Sequence, residues 1–258
     1  MDFSISAQPP QFEAIAAAGF KYVDPHFGSG LSKYNTEAEF QALGDTLKRT
    51  GLTLWGSAGL FPKTLHLVGP EANLEEAVDF IRVGMKRAAT YGTKVVVFGS
   101  GDARRIPAGF DPREAYAQLV ALGKAIAPIA QEHGVNIAVE NLNCNETNTL
   151  TSLASTLKYV QDVGHPAFQL LIDVFHFQRS DRDLAALAQA VPHCIHAHIA
   201  TYENRKFPGM EECDFSANLH ELKRLGYDGA ITIEAGGDWT VECLRHALET
   251  LQNDWNNA

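Results

Sequence analysis

Strand-like and helix-like segments alternate along the whole of this chain, and the alternation constrains the fold more than any other feature. Short runs rich in Val, Ile and Leu predict strands, and the longer segments between them have apolar residues at helical spacing. We predict strands at Asp2–Ala7, Tyr22–His26, Leu52–Ser57, Lys94–Gly99, Val135–Glu140, Phe168–Asp173, His193–Ile199 and Ala230–Glu234. We predict helices at Pro10–Ala18, Glu37–Thr50, Leu74–Tyr91, Pro112–His133, Thr151–Val163, Leu184–Ala190, Ala217–Leu225 and Thr240–Leu251. These strand–helix units are typical of a closed parallel (β/α)₈ TIM barrel, although an open doubly wound α/β sheet has the same alternation.

The length and composition of the chain fit one large domain. It has 258 residues, of which 45% are hydrophobic, enough for a sizeable buried core. No linker or low-complexity stretch divides it, so we predict a single domain over residues 1–258. The net charge of -10 argues against a nucleic-acid partner, because nucleic-acid-binding proteins usually carry a basic surface. Arg104 and Arg105 form the one obvious basic pair, in a predicted loop.

The sequence predicts a cytoplasmic protein without a membrane partner. The first residues, MDFSISAQPP, have neither the basic nor the apolar region of a signal peptide. We find no apolar run that approaches the roughly 18 residues of a membrane-spanning helix. The four cysteines form no CxxC pair, which fits free thiols in a reducing compartment: Cys144, Cys194, Cys213 and Cys243.

Four predicted strands carry apolar residues on one face and end in a polar residue on the other. Side chains alternate along a strand, so Ile231 and Ile233 lie opposite Thr232 and Glu234. The strands that end at Glu140 and Asp173 follow the same pattern. In the strand at 193–199 we place three residues on the outer face, Ile195, Ala197 and Ile199, and three on the inner face, Cys194, His196 and His198. The polar ends therefore point into the barrel, at the carboxyl ends of its strands, where barrel enzymes build their active sites.

On their inner faces these four strands end in a Glu, an Asp, a His and a Glu, and the convergence of these four side chains predicts a metal site. Three carboxylates pressed together repel one another and raise each other's pKa unless a cation neutralises them. A divalent ion with oxygen and nitrogen ligands resolves the conflict, and Mn²⁺, Mg²⁺ and Co²⁺ suit such ligands. Taken singly, a Glu at a strand end is more often a solvated surface residue, and a His on a strand is more often a hydrogen-bonded core residue. Four such ends on four consecutive strands favour the metal site.

Five segments of the second half resemble the xylose isomerase-like barrel superfamily: VENLN at 139–143, DVFH at 173–176, HAHIA at 196–200, NRKFPG at 204–209 and YDGAITIEA at 227–235. Within it the chain is similar to the sugar phosphate isomerase/epimerase branch, which includes hydroxypyruvate isomerases, inosose dehydratases and ketose 3-epimerases. The resemblance covers nearly the whole chain and is specific from Val135 to Ala235.

The resemblance implies a role for each residue that matches a family motif. It implies one divalent metal ion, Mn²⁺ before Mg²⁺, Co²⁺ or Zn²⁺, with four ligands: Glu140, Asp173, His198 and Glu234. It also implies that Glu140 and Glu234 act as the catalytic acid and base on opposite faces of the substrate. Substrate binding is implied for three further residues, His176, Glu146 and Arg205.

The subfamily stays open at this point. The gap from His198 to Arg205 is one residue longer than in ketose epimerases and resembles that of hydroxypyruvate isomerases. The second strand ends in Val23-Asp24, where the family often has Val-Glu.

The implied chemistry is abstraction of a proton next to a carbonyl of a small keto sugar or polyol. The resulting enediolate leads to an isomerase, to an epimerase or, by loss of a β-substituent, to a dehydratase or lyase acting on a keto-cyclitol or keto-glycoside. We expect an unphosphorylated substrate because no P-loop is present, although Arg104 and Arg105 could still contact a phosphate.

Two rival functions fit a barrel of this kind less well. An apurinic-site endonuclease would have histidines at the ends of the third and fourth strands, which read Trp55-Gly56-Ser57 and Val97-Phe98-Gly99. A non-catalytic sugar-binding barrel disagrees with the complete Glu/Asp/His/Glu set. The chain could form homo-oligomers or serve as one subunit of a hetero-assembly.

Overall fold

Parallel strands surrounded by helices make up the protein, whose computed structural model describes residues 1–180 and 182–258. The strands are β1 (Phe3–Ile5), β2 (Tyr22–Val23), β3 (Thr53–Leu54), β4 (Gly56–Ser57), β5 (Val95–Phe98), β6 (Asn136–Glu140), β7 (Phe168–Asp173), β8 (Cys194–Ile199) and β9 (Ala230–Ile233). The helices are α1 (Phe12–Ala18), α2 (Glu37–Thr50), α3 (Leu74–Thr90), α4 (Pro112–Glu132), α5 (Leu153–Val163), α6 (Val174–Gln178), α7 (Leu184–Ala190), α8 (Ser216–Arg224) and α9 (Val241–Asn257).

The strands close into a ring. Seven of them form one parallel sheet in the order β1-β9-β8-β7-β6-β5-β4, and β2 pairs with β3 in parallel. A bridge between Ser6 and Asp24 joins the end of β1 to the end of β2. Because only Trp55 separates β3 from β4, these two short strands occupy one strand position. The fold is therefore the predicted (β/α)₈ barrel, and the open-sheet alternative is wrong.

The helices follow local signals in the sequence. In α2 the Thr36 hydroxyl accepts a hydrogen bond from the Glu39 amide, and the Glu39 side chain returns to the Thr36 backbone. The helix ends at Gly51, whose φ of 71° is a left-handed conformation that glycine adopts without strain. The short helix α6 was not predicted, and it begins where the Asp173 side chain accepts the His176 amide. In the described parts of the chain, no helix is both long and apolar enough to cross a membrane.

A bulge in β8 changes the predicted phase of two residues. Leu170 pairs with Cys194 but Leu171 pairs with His196, so Ile195 is an extra residue on β8. As a result, Cys194 packs with the outer core and Ile195 packs with the small apolar cluster inside the barrel. The predicted faces of these two residues are therefore wrong, whereas Ala197 and the residues after it keep the predicted phase.

The predicted basic pair is not a surface patch. Arg104 is fully buried, and its guanidinium donates to the carbonyl oxygens of Phe98 and Glu140, the latter at 2.9 Å. Its neighbour Arg105 donates to the carbonyl oxygen of Glu146. Arg104 therefore ties together the ends of β5 and β6, and the idea that it contacts a substrate phosphate is wrong.

Candidate metal centre

The four residues predicted as metal ligands lie together at the carboxyl ends of β6, β7, β8 and β9. One potential ligand atom from each lies within 4.8 Å of the others: Glu140, Asp173, His198 and Glu234. His198 lies between the two glutamates, with its Nδ1 at 3.2 Å from Oε1 of Glu140 and 3.4 Å from Oε2 of Glu234. The strand ends thus bring together three carboxylates and one imidazole from four separate parts of the sequence.

The protein alone does not balance the charge of this cluster. Burial, and then the negative charge of Glu234, raise the pKa of Glu140 above its ordinary value. The pKa of Asp173 is raised chiefly by burial, against the opposing effect of Arg205. Glu234 shifts the other way, because the positive charges of His198 and Arg205 outweigh its burial and lower its pKa. Two of the three carboxylates are therefore destabilised in their charged form when no cation lies between them.

A divalent cation fits the donor set. Oxygen atoms from three carboxylates and one imidazole nitrogen are ligands that Mn²⁺, Mg²⁺, Co²⁺ and Zn²⁺ all accept. Asp173 is also held in place, since its amide donates to the Asn141 side chain and its Oδ1 accepts the His176 amide at 3.1 Å. Such hydrogen bonds orient a ligand before an ion binds.

Only two of the four residues face the open space above the cluster. A cavity of about 310 Å³ is lined by both glutamates, Glu140 and Glu234, at its base. Asp173 and His198 are almost completely buried and are not among the residues that line it. The glutamates are therefore the two potential ligands that border the space available to a substrate.

Gly99, at the end of β5, leaves the space that the Glu140 carboxylate occupies. A Cβ at this position would lie 2.1 Å from Oε2 of Glu140, so Gly99→Ala must displace the carboxylate. We expect weaker metal binding and a fall in kcat/KM of about 10²-fold, the cost that a misplacement of ~1 Å can have. Metal titration and steady-state kinetics measure the two effects.

Gly236→Ala is the matched control, because an added Cβ there meets no atom within 4 Å. It should behave as the unmodified protein does. Equal metal affinity and activity in Gly99→Ala would show that the position of Glu140 is not critical.

The three residues predicted to bind substrate lie around the same cavity. Arg205 forms an ion pair with Glu234, and its guanidinium lies 3.3 Å from Oε1 of Glu146. His176, on α6, is fully buried, and its Nδ1 accepts a hydrogen bond of 2.9 Å from the Asn143 side chain. Its Nε2 has no hydrogen-bond partner among the described residues and lies 3.5 Å from Oδ2 of Asp173. The structure thus groups these side chains, and their roles remain predictions.

Two residues of this region were missed or left unexplained by sequence reasoning. The Asn143 side chain donates hydrogen bonds to both His176 and Glu146. Its place in the VENLN segment was the feature of the sequence that could have identified it. Asp24, at the end of β2, is fully buried and accepts hydrogen bonds from residues of four other strands. Its donors are Ser4, the amide of Gly56, His196 and Thr232.

Asp24 is held by hydrogen bonds to both of its carboxylate oxygens. Burial by itself would raise its pKa, but the hydrogen bond and charge of His196 and the hydroxyls of Ser4 and Thr232 outweigh burial and lower it. Asp24, His196 and His198 lie close enough to hold an ion. Both oxygens of Asp24, however, already accept hydrogen bonds. Asp24 therefore holds in place the imidazole of His196, two residues before His198.

Comparisons with known proteins agree with this fold. A family model described as a xylose isomerase-like TIM barrel matches residues 12–253. The chain is 26% identical over 233 residues to D-psicose 3-epimerase of Agrobacterium fabrum (strain C58), an alignment that covers 87% of the chain and 78% of that enzyme. It is 25% identical over 171 residues to hydroxypyruvate isomerase of Escherichia coli K12, covering 65% of each protein.

Several other ketose epimerases align over about half of their own length. Among solved structures, a D-psicose 3-epimerase crystallised in the presence of D-fructose superimposes with a TM-score of 0.84 at 21% identity, over 99% of both chains.

Proposed function

The chain belongs to the xylose isomerase-like TIM barrel family and is an enzyme of the isomerase and epimerase class; on this basis we propose that it is a divalent-metal-dependent epimerase of small, unphosphorylated keto sugars. Epimerisation is preferred to isomerisation because several of its relatives are ketose 3-epimerases. The proposed metal ligands are Glu140, Asp173, His198 and Glu234.

One observation supports the proposal most directly: Glu140, which ends β6, and Glu234, which follows β9, both line the cavity, and the His198 imidazole lies between them. An epimerase must remove a proton from one face of a carbon and return a proton to the other face. Two carboxylates on either side of a central ligand provide such a pair. Since a carboxylate has two oxygens, each glutamate can hold the cation with one oxygen and exchange a proton with the other.

The chemistry follows from the positions of these groups. A divalent cation at this site, when bound, would polarise the substrate carbonyl and make the adjacent C–H more acidic. Glu234 then takes the proton from that carbon, and Glu140 gives a proton to the opposite face of the enediolate. In the reverse direction the two glutamates exchange roles. The carbon changes configuration, and the step leaves Glu234 protonated and Glu140 ionised, so atoms and charges balance. Loss of a proton from Glu234 to solvent and uptake of one by Glu140 then restore the starting state.

Three further side chains would hold the substrate hydroxyl groups in place. The Nε2 of His176 faces the cluster without a partner among the described residues, and it can donate to a substrate oxygen. Arg205 and Glu146 form an ion pair at the cavity wall and offer one donor and one acceptor group.

The proposal of an unphosphorylated substrate rests on the lining of the cavity. Arg205 is the only Lys or Arg among the described residues that line it. Its guanidinium already faces Glu234 and Glu146, so little positive charge remains for a phosphate.

Solvent-exchange labelling tests the proposed function. Ketoses incubated with the enzyme in D₂O should gain deuterium at the carbon next to the carbonyl, together with inversion at that carbon. The exchange should require added Mn²⁺ or Co²⁺ and stop when a chelator removes the ion. NMR and mass spectrometry locate the label and identify the product.

The products separate the alternatives. An aldose product would indicate an isomerase, and loss of a β-hydroxyl or a glycosidic group would indicate a lyase that uses the same enediolate. Retention of the original C–H bond in the product, shown with substrate labelled at that carbon and combined with activity in chelator, would exclude the proposed chemistry. Strong preference for phosphorylated ketoses would overturn the substrate class alone.

A further inference from the structure

The cavity above the candidate metal centre has two chemically different walls. The second half of the chain contributes its charged residues, which are Glu140, Glu146, Arg205 and Glu234. The loops of the first half contribute small or uncharged polar residues. The second group consists of Ser6, Gln8, His26, Ala58, Gly59, Gly99, Ser100 and Gly101. None of them is a carboxylate, a lysine or an arginine. The part of a substrate that reaches this wall therefore meets neutral groups.

His26 is held on this wall in a defined orientation. Its Nδ1 accepts a hydrogen bond of 3.1 Å from the Gly28 amide. A neutral imidazole that accepts at Nδ1 carries its proton on Nε2. Burial lowers the pKa of His26, which favours the neutral ring. The backbone thus fixes the tautomer and leaves Nε2–H as a donor.

Gly59 keeps the space in front of this donor open. A Cβ on Gly59 would lie 2.2 Å from Nε2 of His26, and any side chain there would cover that ring edge. The residue has a φ of 68°, which also favours glycine. Because Gly59 and His26 both line the cavity, the open space is part of the cavity itself.

Gln8 provides a second neutral donor beside His26. Its Oε1 accepts a hydrogen bond from the Ser29 hydroxyl, and its backbone amide donates to the Gln11 side chain. The contact with Ser29 engages the oxygen of the Gln8 side-chain amide, so its NH₂ group is the end available to a ligand.

We propose that His26 and Gln8 form a subsite on the neutral wall of the cavity that binds hydroxyl groups at the far end of an unphosphorylated keto sugar. The inference rests on the proposed function and adds a substrate property to it. Neutral N–H donors match hydroxyl oxygens, and this wall carries no positive charge to balance a phosphate. A ketose long enough to reach the subsite is therefore preferred to a truncated one.

A comparison of two substrates tests the subsite. Dihydroxyacetone has a carbonyl and its neighbouring hydroxyls but no far end, whereas a ketohexose has both. His26→Asn keeps an oxygen that can accept the Gly28 amide, and because its side chain is shorter it has no donor at the position of Nε2. We expect kcat/KM for deuterium exchange into the ketohexose, relative to dihydroxyacetone, to fall roughly three- to tenfold, as loss of one neutral hydrogen bond implies.

Two further variants make the test independent of one substitution. Gln8→Ala should lower the same ratio in the same direction. His66→Ala should leave it unchanged, because His66 is an exposed histidine that is not among the residues lining the cavity. An unchanged ratio in both His26→Asn and Gln8→Ala, or an equal loss for both sugars, would overturn the subsite while metal-dependent exchange in the unmodified protein kept the proposed function.

If the unmodified protein exchanged neither sugar, the proposed function would fail and calorimetry would decide on the subsite. Ketohexose would be titrated into the metal-loaded protein and into His26→Asn. Binding that is three- to tenfold weaker in the variant would support the subsite. Equal binding, or no binding to either protein, would overturn it.

Discussion

Glu234→Gln is expected to lower kcat by about 10²- to 10⁴-fold, the usual contribution of general acid–base catalysis. The substitution keeps an oxygen atom that can face His198 and Arg205, which both contact the Glu234 carboxylate. It removes the group that accepts a proton, so KM should change far less than kcat. Steady-state kinetics on a ketose that the enzyme epimerises measure both constants.

Glu146→Gln is the matched comparison for this prediction. Glu146 also lines the cavity and contacts Arg205, but it lies outside the group of potential metal ligands. Its replacement should therefore act mainly on KM. Normal kcat with only a raised KM in Glu234→Gln would show that Glu234 does not act as a base.

The sequence was informative about the candidate site because strand geometry is periodic. Side chains of a strand alternate strictly, so the inward phase of Glu140, Asp173 and Glu234 follows from their apolar neighbours. The carboxyl ends of parallel strands meet at one end of a barrel, which brings distant residues together without knowledge of the loops. The fold and the convergence of the four side chains were therefore accessible in advance.

Where the periodicity breaks, sequence reasoning fails. The bulge at Ile195 inserts one residue into β8, and nothing in the local pattern of apolar residues marks it. The alternation of side chains does not predict the conformation of the loops either. The orientation of His26, for example, depends on its contact with Gly28 and on the close approach of Gly59.

Asp24 illustrates a third limit of structure prediction from the sequence. It is bonded by Ser4, 20 residues away, and by Thr232, 208 residues away in the sequence. These partners meet only because β1, β2 and β9 are neighbours in the closed ring. A buried carboxylate with such partners looks like a solvated surface group until the strand order is known.

His198→Ala is expected to remove metal binding and activity together. His198 supplies the one nitrogen donor of the cluster and contacts both Glu140 and Glu234. Without it three carboxylates face one another with a ligand position empty. The loss of metal affinity should exceed the roughly 10- to 100-fold that removal of an outer hydrogen-bonding partner costs. Elemental analysis after dialysis and calorimetric titration with Mn²⁺ measure it independently of turnover.

His196→Gln separates loss of the ligand from loss of stability. His196 is also a fully buried histidine of β8, two residues earlier, but it contacts Asp24 instead of the glutamates. Removing its imidazole disturbs the buried hydrogen bonds of Asp24 and should lower the melting temperature, while saturating Mn²⁺ still binds. Full metal content and full activity in His198→Ala would contradict the assignment of the site. A large loss of metal in both variants would mean that the barrel interior as a whole, and not the His198 ligand, controls metal binding.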